Sequence, residues 1–162
     1  MFYSLIGISM LLFASFVCCL YSNSYYDKKS ELYRELLSFL YTAKQKMLAS
    51  SAMLSSILSD TDDLSVLRSI GFFELAQSNG MRYAFETLKE KMNIEPDDKK
   101  ALTELFSHFG SNTLYAEVEN ITRCIDDIEN SYNNIKNKIP DMKKVSNTVI
   151  ICVTLLAIIL IV

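Results

Sequence analysis

The sequence predicts an all-α protein, with N- and C-terminal transmembrane helices flanking a cytoplasmic antiparallel bundle of about five to six helices. Three observations carry this prediction. All 16 basic and 19 acidic residues lie between Asp27 and Lys144, so both ends are apolar and uncharged. In the middle, apolar residues recur at helical spacing rather than alternating. Glycine and proline number only 4 and 2, which leaves few breaks and no linker. The chain divides accordingly into an N-terminal transmembrane helix (1–26), a helical bundle domain (27–144) and a C-terminal transmembrane helix (145–162).

The first helix is read from "FYSLIGISMLLFASFVCCLY", long enough for a bilayer, which needs about 20 apolar residues. A secretory signal would carry a basic residue before the apolar run and small residues at its cleavage site. Neither occurs: "ASFVCC" places Phe16 and Val17 before Cys18. Tyr21, Tyr25 and Tyr26 stand where an interfacial aromatic belt belongs, followed by Lys28 and Lys29. The closing helix, Val145 to Val162, is slightly short for a span, and Lys143 and Lys144 can snorkel to make up the difference. Lysines flank the inner end of both spans and no cation lies outside them. The positive-inside rule therefore expects the middle in the cytoplasm.

Within the middle, "ELYRELLSFLYTAKQKMLASSAMLSSIL" sets Leu32, Leu36, Leu40, Ala43, Met47 and Leu54 near helical spacing, continuing from the first span. "SDTDD" breaks it, with Asp60 or Thr61 as an N-cap for a helix over 63–78. Gly80 is suited to a left-handed C-cap. The helix "MRYAFETLKEKM" follows, then "IEPDDKKALTELFSHFG", where Pro96 suits a first turn and Gly110 a stop.

The last cytoplasmic helix has the clearest pattern. Leu114, Val118, Ile121, Ile125, Ile128, Tyr132, Ile135, Ile139 and Met142 step by four and three for about four heptads. Such a seam serves either a self-associating coiled coil, and hence a homo-oligomer, or an intramolecular bundle; the amphipathic helices before it need a partner, which favours the bundle. Pro140 removes one backbone donor and is expected to act as a hinge near the membrane.

Chemistry-bearing patterns are scarce. His108, four residues after Glu104, has no second cluster to complete a metal shell. Cys18, Cys19 and Cys152 lie in the spans, Cys124 stands alone, and no C-x-x-C occurs. "DTDDLSVLRSIG" opens like a calcium loop but fails at Leu64, Ser65 and Gly71. No phosphate-cradling glycine loop is found. A net charge of −3, spread along the chain, gives no nucleic-acid footprint. These readings predict a non-enzymatic protein with no cofactor, no metal and no nucleic-acid partner, in contact with membrane lipid.

The order of elements carries a resemblance over the whole chain: membrane helix, charged helical domain, "LFSHFG", heptad helix, "KK" and terminal span. It resembles the stage III sporulation protein AB family. Local matches are Leu105-Phe106 through Phe109-Gly110, then Leu114, and Lys144 opening the final span. "MRYAFETLKEKM" is similar to the family's "EAW" helix, with Phe85 in place of the usual Trp. Leu114-Tyr115 and Glu117 stand where the family has Leu-Gly and Asp, and Asn147 roughly where it has glycine.

The resemblance implies a platform component of the mother-cell-to-forespore channel complex, in the mother-cell membrane around the forespore. Its cytoplasmic domain would be similar to those of type II secretion and type IV pilus platform proteins. An assembly ATPase, stage III sporulation protein AA, and other membrane components of the channel are the implied partners. A membrane-anchored coiled-coil scaffold and a signalling protein are the alternative readings.

Overall fold

The computed structural model describes residues 2–50, 64–110 and 113–161. The expected caps Asp60 and Thr61 and the seam position Leu54 lie outside them. Among the described residues there are six helices and no strand. They are α1 (Phe2–Ser50), α2 (Ser65–Ser69), α3 (Phe72–Asn79), α4 (Met81–Leu88), α5 (Pro96–His108) and α6 (Leu114–Ile161).

The chain forms two compact units, one of residues 29–134 and one of segments 1–28 and 135–162. In the first, α1 turns Leu32, Leu36, Leu40, Ala43 and Met47 into the interior, the stripe that its helical spacing prescribes. Six phenylalanines form a connected run of ring contacts through this core. Phe39 meets Phe72 and Phe73 at 6.0 and 5.9 Å, Phe72 meets Phe106 at 6.0 Å, and Phe106 meets Phe85 and Phe109 at 5.2 and 6.2 Å. Tilted and edge-on rings at these separations suit the aromatic quadrupole. Phe106 of the "LFSHFG" stretch thus acts as core, with the half-buried Phe109 packed against it.

Three features differ from the sequence expectation, one being that the helix expected over "MRYAFETLKEKM" ends at Leu88. The single helix over 63–78 is two helices, broken at Ile70–Gly71. Gly71 adopts φ 79° and its N–H donates to the Arg68 carbonyl at 2.9 Å. The positive φ is available to glycine at little cost, so the chain turns and brings both Phe72 and Phe73 inside. Gly80 ends α3 as expected, but with φ 88° and ψ 161°, extended rather than left-handed helical, so one residue closes α3 and opens α4. Pro96 does occupy the first turn of α5, where its missing N–H costs nothing. Gly110, at φ 85°, follows that helix.

In the second unit, long apolar segments of α1 and α6 lie side by side and antiparallel. Ser22 Oγ hydrogen-bonds Ser146 Oγ at 2.7 Å, and Lys143 Nζ donates to Asp27 Oδ1 at 2.6 Å. Mean hydropathy reaches 1.7 and 1.8 in the most apolar windows of these helices, and none of either window is buried. Helix α6 continues through Pro140, so the lost donor does not end it.

Candidate functional site

Buried polar side chains are the first place to look for chemistry, since each must have a reason to be there. Among the described residues of the 29–134 unit these are Tyr33, Glu35, Asp98 and Glu117. Tyr33 Oη donates to Asp98 Oδ2 at 2.6 Å and accepts the Glu95 N–H at 2.8 Å; Ser131 Oγ donates to Asp98 Oδ1 at 2.8 Å. One carboxylate therefore joins α1, α5 and α6. Burial raises the Asp98 carboxyl above the usual carboxylate range, against the two hydroxyl donors, which pull it down. Burial likewise raises the Tyr33 phenol, helped by its bond to Asp98.

Glu35 holds the start of α2. Its Oε1 accepts the Val66 N–H at 2.9 Å and the Ser65 hydroxyl at 3.1 Å, and its Oε2 accepts the Leu67 N–H at 2.9 Å. The α2 N-cap residue, Leu64, makes no side-chain cap hydrogen bond, and a residue of α1 satisfies donors that a helix start leaves orphaned. Glu117 accepts the Gly110 N–H, tying the first turn of α6 back to the end of α5.

A small cleft of about 80 Å³ between α5 and α6 is lined by Glu104, His108, Arg123, Cys124 and Asp127, among others. His108 is exposed there. Cys124 is buried, and burial pushes its thiol up to about 12, so it behaves as a small apolar side chain. Among the described residues no three His, Cys, Asp or Glu side chains are grouped to hold a metal ion.

The seam of α6 is buried in its centre only. Ile121, Ile125 and Ile128 are 0–2 % exposed, whereas Val118, Tyr132, Ile135 and Ile139 are half-buried and Leu114 is exposed. Of the expected interface residues, Tyr21 and Tyr25 are exposed and Tyr26 half-buried, with Tyr25 and Tyr26 in edge contact at 5.7 Å. Lys28 and Lys144 are exposed. Lys29 pairs with Glu95 at 2.6 Å and Lys143 with Asp27.

A family model for stage III sporulation protein AB matches residues 4–162, nearly the whole chain. The chain belongs to that family. Membership in the stage III sporulation protein AB family supports a role in stage III of sporulation, and the two long apolar helices are compatible with membrane spans. No curated protein and no solved structure is significantly similar to the chain.

Sequence reasoning missed the ties through Tyr33, Glu35, Asp98 and Ser131, although a signal was present. Glu35 lies at helical spacing between Leu32 and Phe39, and Asp98 precedes Leu102 and Leu105 by four and seven residues. Each is a charge on an apolar face, which marks a buried and partnered group.

Proposed function

We propose that the chain is a non-enzymatic membrane platform of a secretion-like channel complex needed for endospore formation. In this reading it links a cytoplasmic assembly ATPase, stage III sporulation protein AA, to other membrane components. One observation carries the proposal: the buried carboxylates Glu35, Asp98 and Glu117 are all engaged in holding helices together. What such a domain has to offer is therefore its outer surface. Both flanking helices leave apolar surface bare, which suits an anchor in lipid. The scaffold alternative needs an available seam, but Ile121, Ile125 and Ile128 pack inside their own chain.

Affinity capture of the full-length chain from sporulating cells tests the proposal directly. The ATPase and membrane partners are expected to co-purify, and removing 145–162 is expected to abolish membrane-partner capture and block sporulation after engulfment. Normal spore yield from cells carrying only the truncated chain would sink the platform reading and favour a diffusing adaptor. Orientation is tested separately: a cytoplasm-only reporter should be active when inserted at Asn79-Gly80 and inactive when fused after Val162. The reverse pattern would remove any contact with a cytoplasmic motor.

A further inference from the structure

Among the described residues, two buried side-chain oxygens accept no hydrogen bond: Oδ1 of Asn23 and Oδ1 of Asn147. A buried acceptor without a donor has lost its hydration and gained nothing in return. Each asparagine directly follows one of the serines that join α1 to α6, Ser22 and Ser146, whose hydroxyls lie 2.7 Å apart. Successive helical residues turn by about 100° and rise about 1.5 Å. Because the two helices are antiparallel, the residue after each contacting serine turns to the same side of the pair. The two asparagines therefore share one face, about 3 Å apart along the axis. Lys143 and Asp27, paired at 2.6 Å, close that face roughly one turn further along.

We propose that Asn23 and Asn147 bond to each other through their side-chain amides, and that this bond, with the serine pair, locks the register of α1 against α6. Water, lipid or a further helix cannot supply the donor, since both oxygens are closed off from the surroundings. The serine hydroxyls already face each other. The amides bring their own donors: each carries an NH2 group beside its oxygen, and a half-turn about Cβ–Cγ exchanges the two at little cost. One such half-turn aims the NH2 of one asparagine at the buried oxygen of the other. The half-buried Ile150, Ala157 and Ile158 pack without direction and tolerate a slide of one turn, whereas an amide pair exists at one level only. It selects a register as a single buried Asn does in a coiled coil. The two segments then behave as one hairpin, and removing 145–162 strips Asn23 of its partner as well as deleting a helix. The proposal rests on the pairing of these segments and is independent of the platform role.

The test uses the full-length chain in nanodiscs, with Cys18→Ser and Cys152→Ser so that Cys19 is the one thiol left in the paired segments. Cys19, three residues before Ser22, and Ile150, four after Ser146, are both half-buried and fall at one level on the amide face. Thr154 reaches that level only after a slide of about one turn. Copper phenanthroline oxidises the thiols, and the mass of the monomer reports an internal disulfide. Ile150→Cys should cross-link to Cys19 readily, and Thr154→Cys should lag. Asn23→Leu or Asn147→Leu should each lower this preference about threefold, the scale of an interhelical hydrogen bond in a membrane. Both changes together should lower it no further, because the two amides act through one bond. Circular dichroism should be the same throughout; helix lost in a single variant and regained in the double would report the same coupling. Equal cross-linking at 150 and 154 with both asparagines in place overturns the proposal, as does a preference that survives either substitution. Losses that multiply to about ninefold in the double variant would also overturn it, by making the two amides independent.

Discussion

The two units use the same kinds of residue to opposite ends. In residues 29–134, Tyr33, Phe39, Phe72 and Phe85 are 0–1 % exposed. In the flanking segments Phe13 is 72 % and Leu160 is 88 % exposed. Burial of a large apolar side chain away from water is worth about 1.5–3 kcal/mol, so the first set stabilises the fold directly. The second contributes only when something other than water covers it. The difference also extends to polar groups. The bundle satisfies its buried carboxylates with hydrogen bonds, whereas the paired segments hold a sparse polar layer, Ser22 with Ser146, in which the buried Oδ1 atoms of Asn23 and Asn147 accept no hydrogen bond. Hydrophobicity alone therefore does not distinguish a buried core helix from a bare apolar one; the charges interspersed with it do.

The largest effect is expected from placing a charge in either apolar region. Ile128→Asp puts a carboxylate at a fully buried seam position and should cost about 4 kcal/mol, read as loss of cooperative melting of the full chain in detergent. Val153→Asp, on the exposed stretch of α6, should leave that melt unchanged. It should instead weaken membrane insertion by about 2.5–3.5 kcal/mol, read by membrane fractionation. Asp at the exposed Asn133 or Asn134 is the control and should do neither. Equal loss of melting at Ile128 and Asn133 would discard the heptad register.

Next in size is Glu35→Ala, which leaves the buried Leu67 N–H and the neighbouring Val66 N–H without their acceptor. An unsatisfied buried donor costs about 1–3 kcal/mol. The midpoint of denaturant unfolding should fall accordingly. Glu35→Gln retains an acceptor oxygen but turns an amide toward one of the donors, so it should fall between Ala and the unaltered chain. No change on either substitution would show that α2 needs no external cap.

A smaller and pH-dependent effect belongs to Asp98. Its folded carboxyl is raised by burial, so in that window the native state binds more protons than the unfolded chain. The sign follows: the unfolding free energy contributed by this group falls as pH rises from the ordinary carboxylate range to the raised value. Denaturant titrations across acid pH should show this slope, and Asp98→Asn should flatten it. An unaltered slope in the variant would assign it to another group.

The smallest effect is chemical. Cys124, with its thiol pushed up to about 12, should resist maleimide at pH 8 in the native chain and react on unfolding. Prompt native labelling would place Cys124 outside the core.

What the sequence determined by itself was the fold class, with its two long apolar helices at the ends. Charge-free ends and a charged middle follow from solvent preference, residue by residue, and helical spacing states which face of α1 or α6 is apolar. The stop at Gly110 and the start at Pro96 were equally legible, because backbone freedom at glycine and the missing N–H of proline are local properties. The tertiary structure decided which groups meet. The break at Gly71 lets Phe72 and Phe73 both reach the core through contacts with Phe39, 33 and 34 residues away in the chain. Glu35 can cap α2 only because folding carries its carboxylate to Val66 and Leu67. Asp98 was visible as a charge on an apolar face; its partners Tyr33 and Ser131 were not, since a hydrogen bond between helices depends on their register and spacing. Local rules act over one or two turns of chain, while the energy of these ties arises from groups dozens of residues apart being desolvated together.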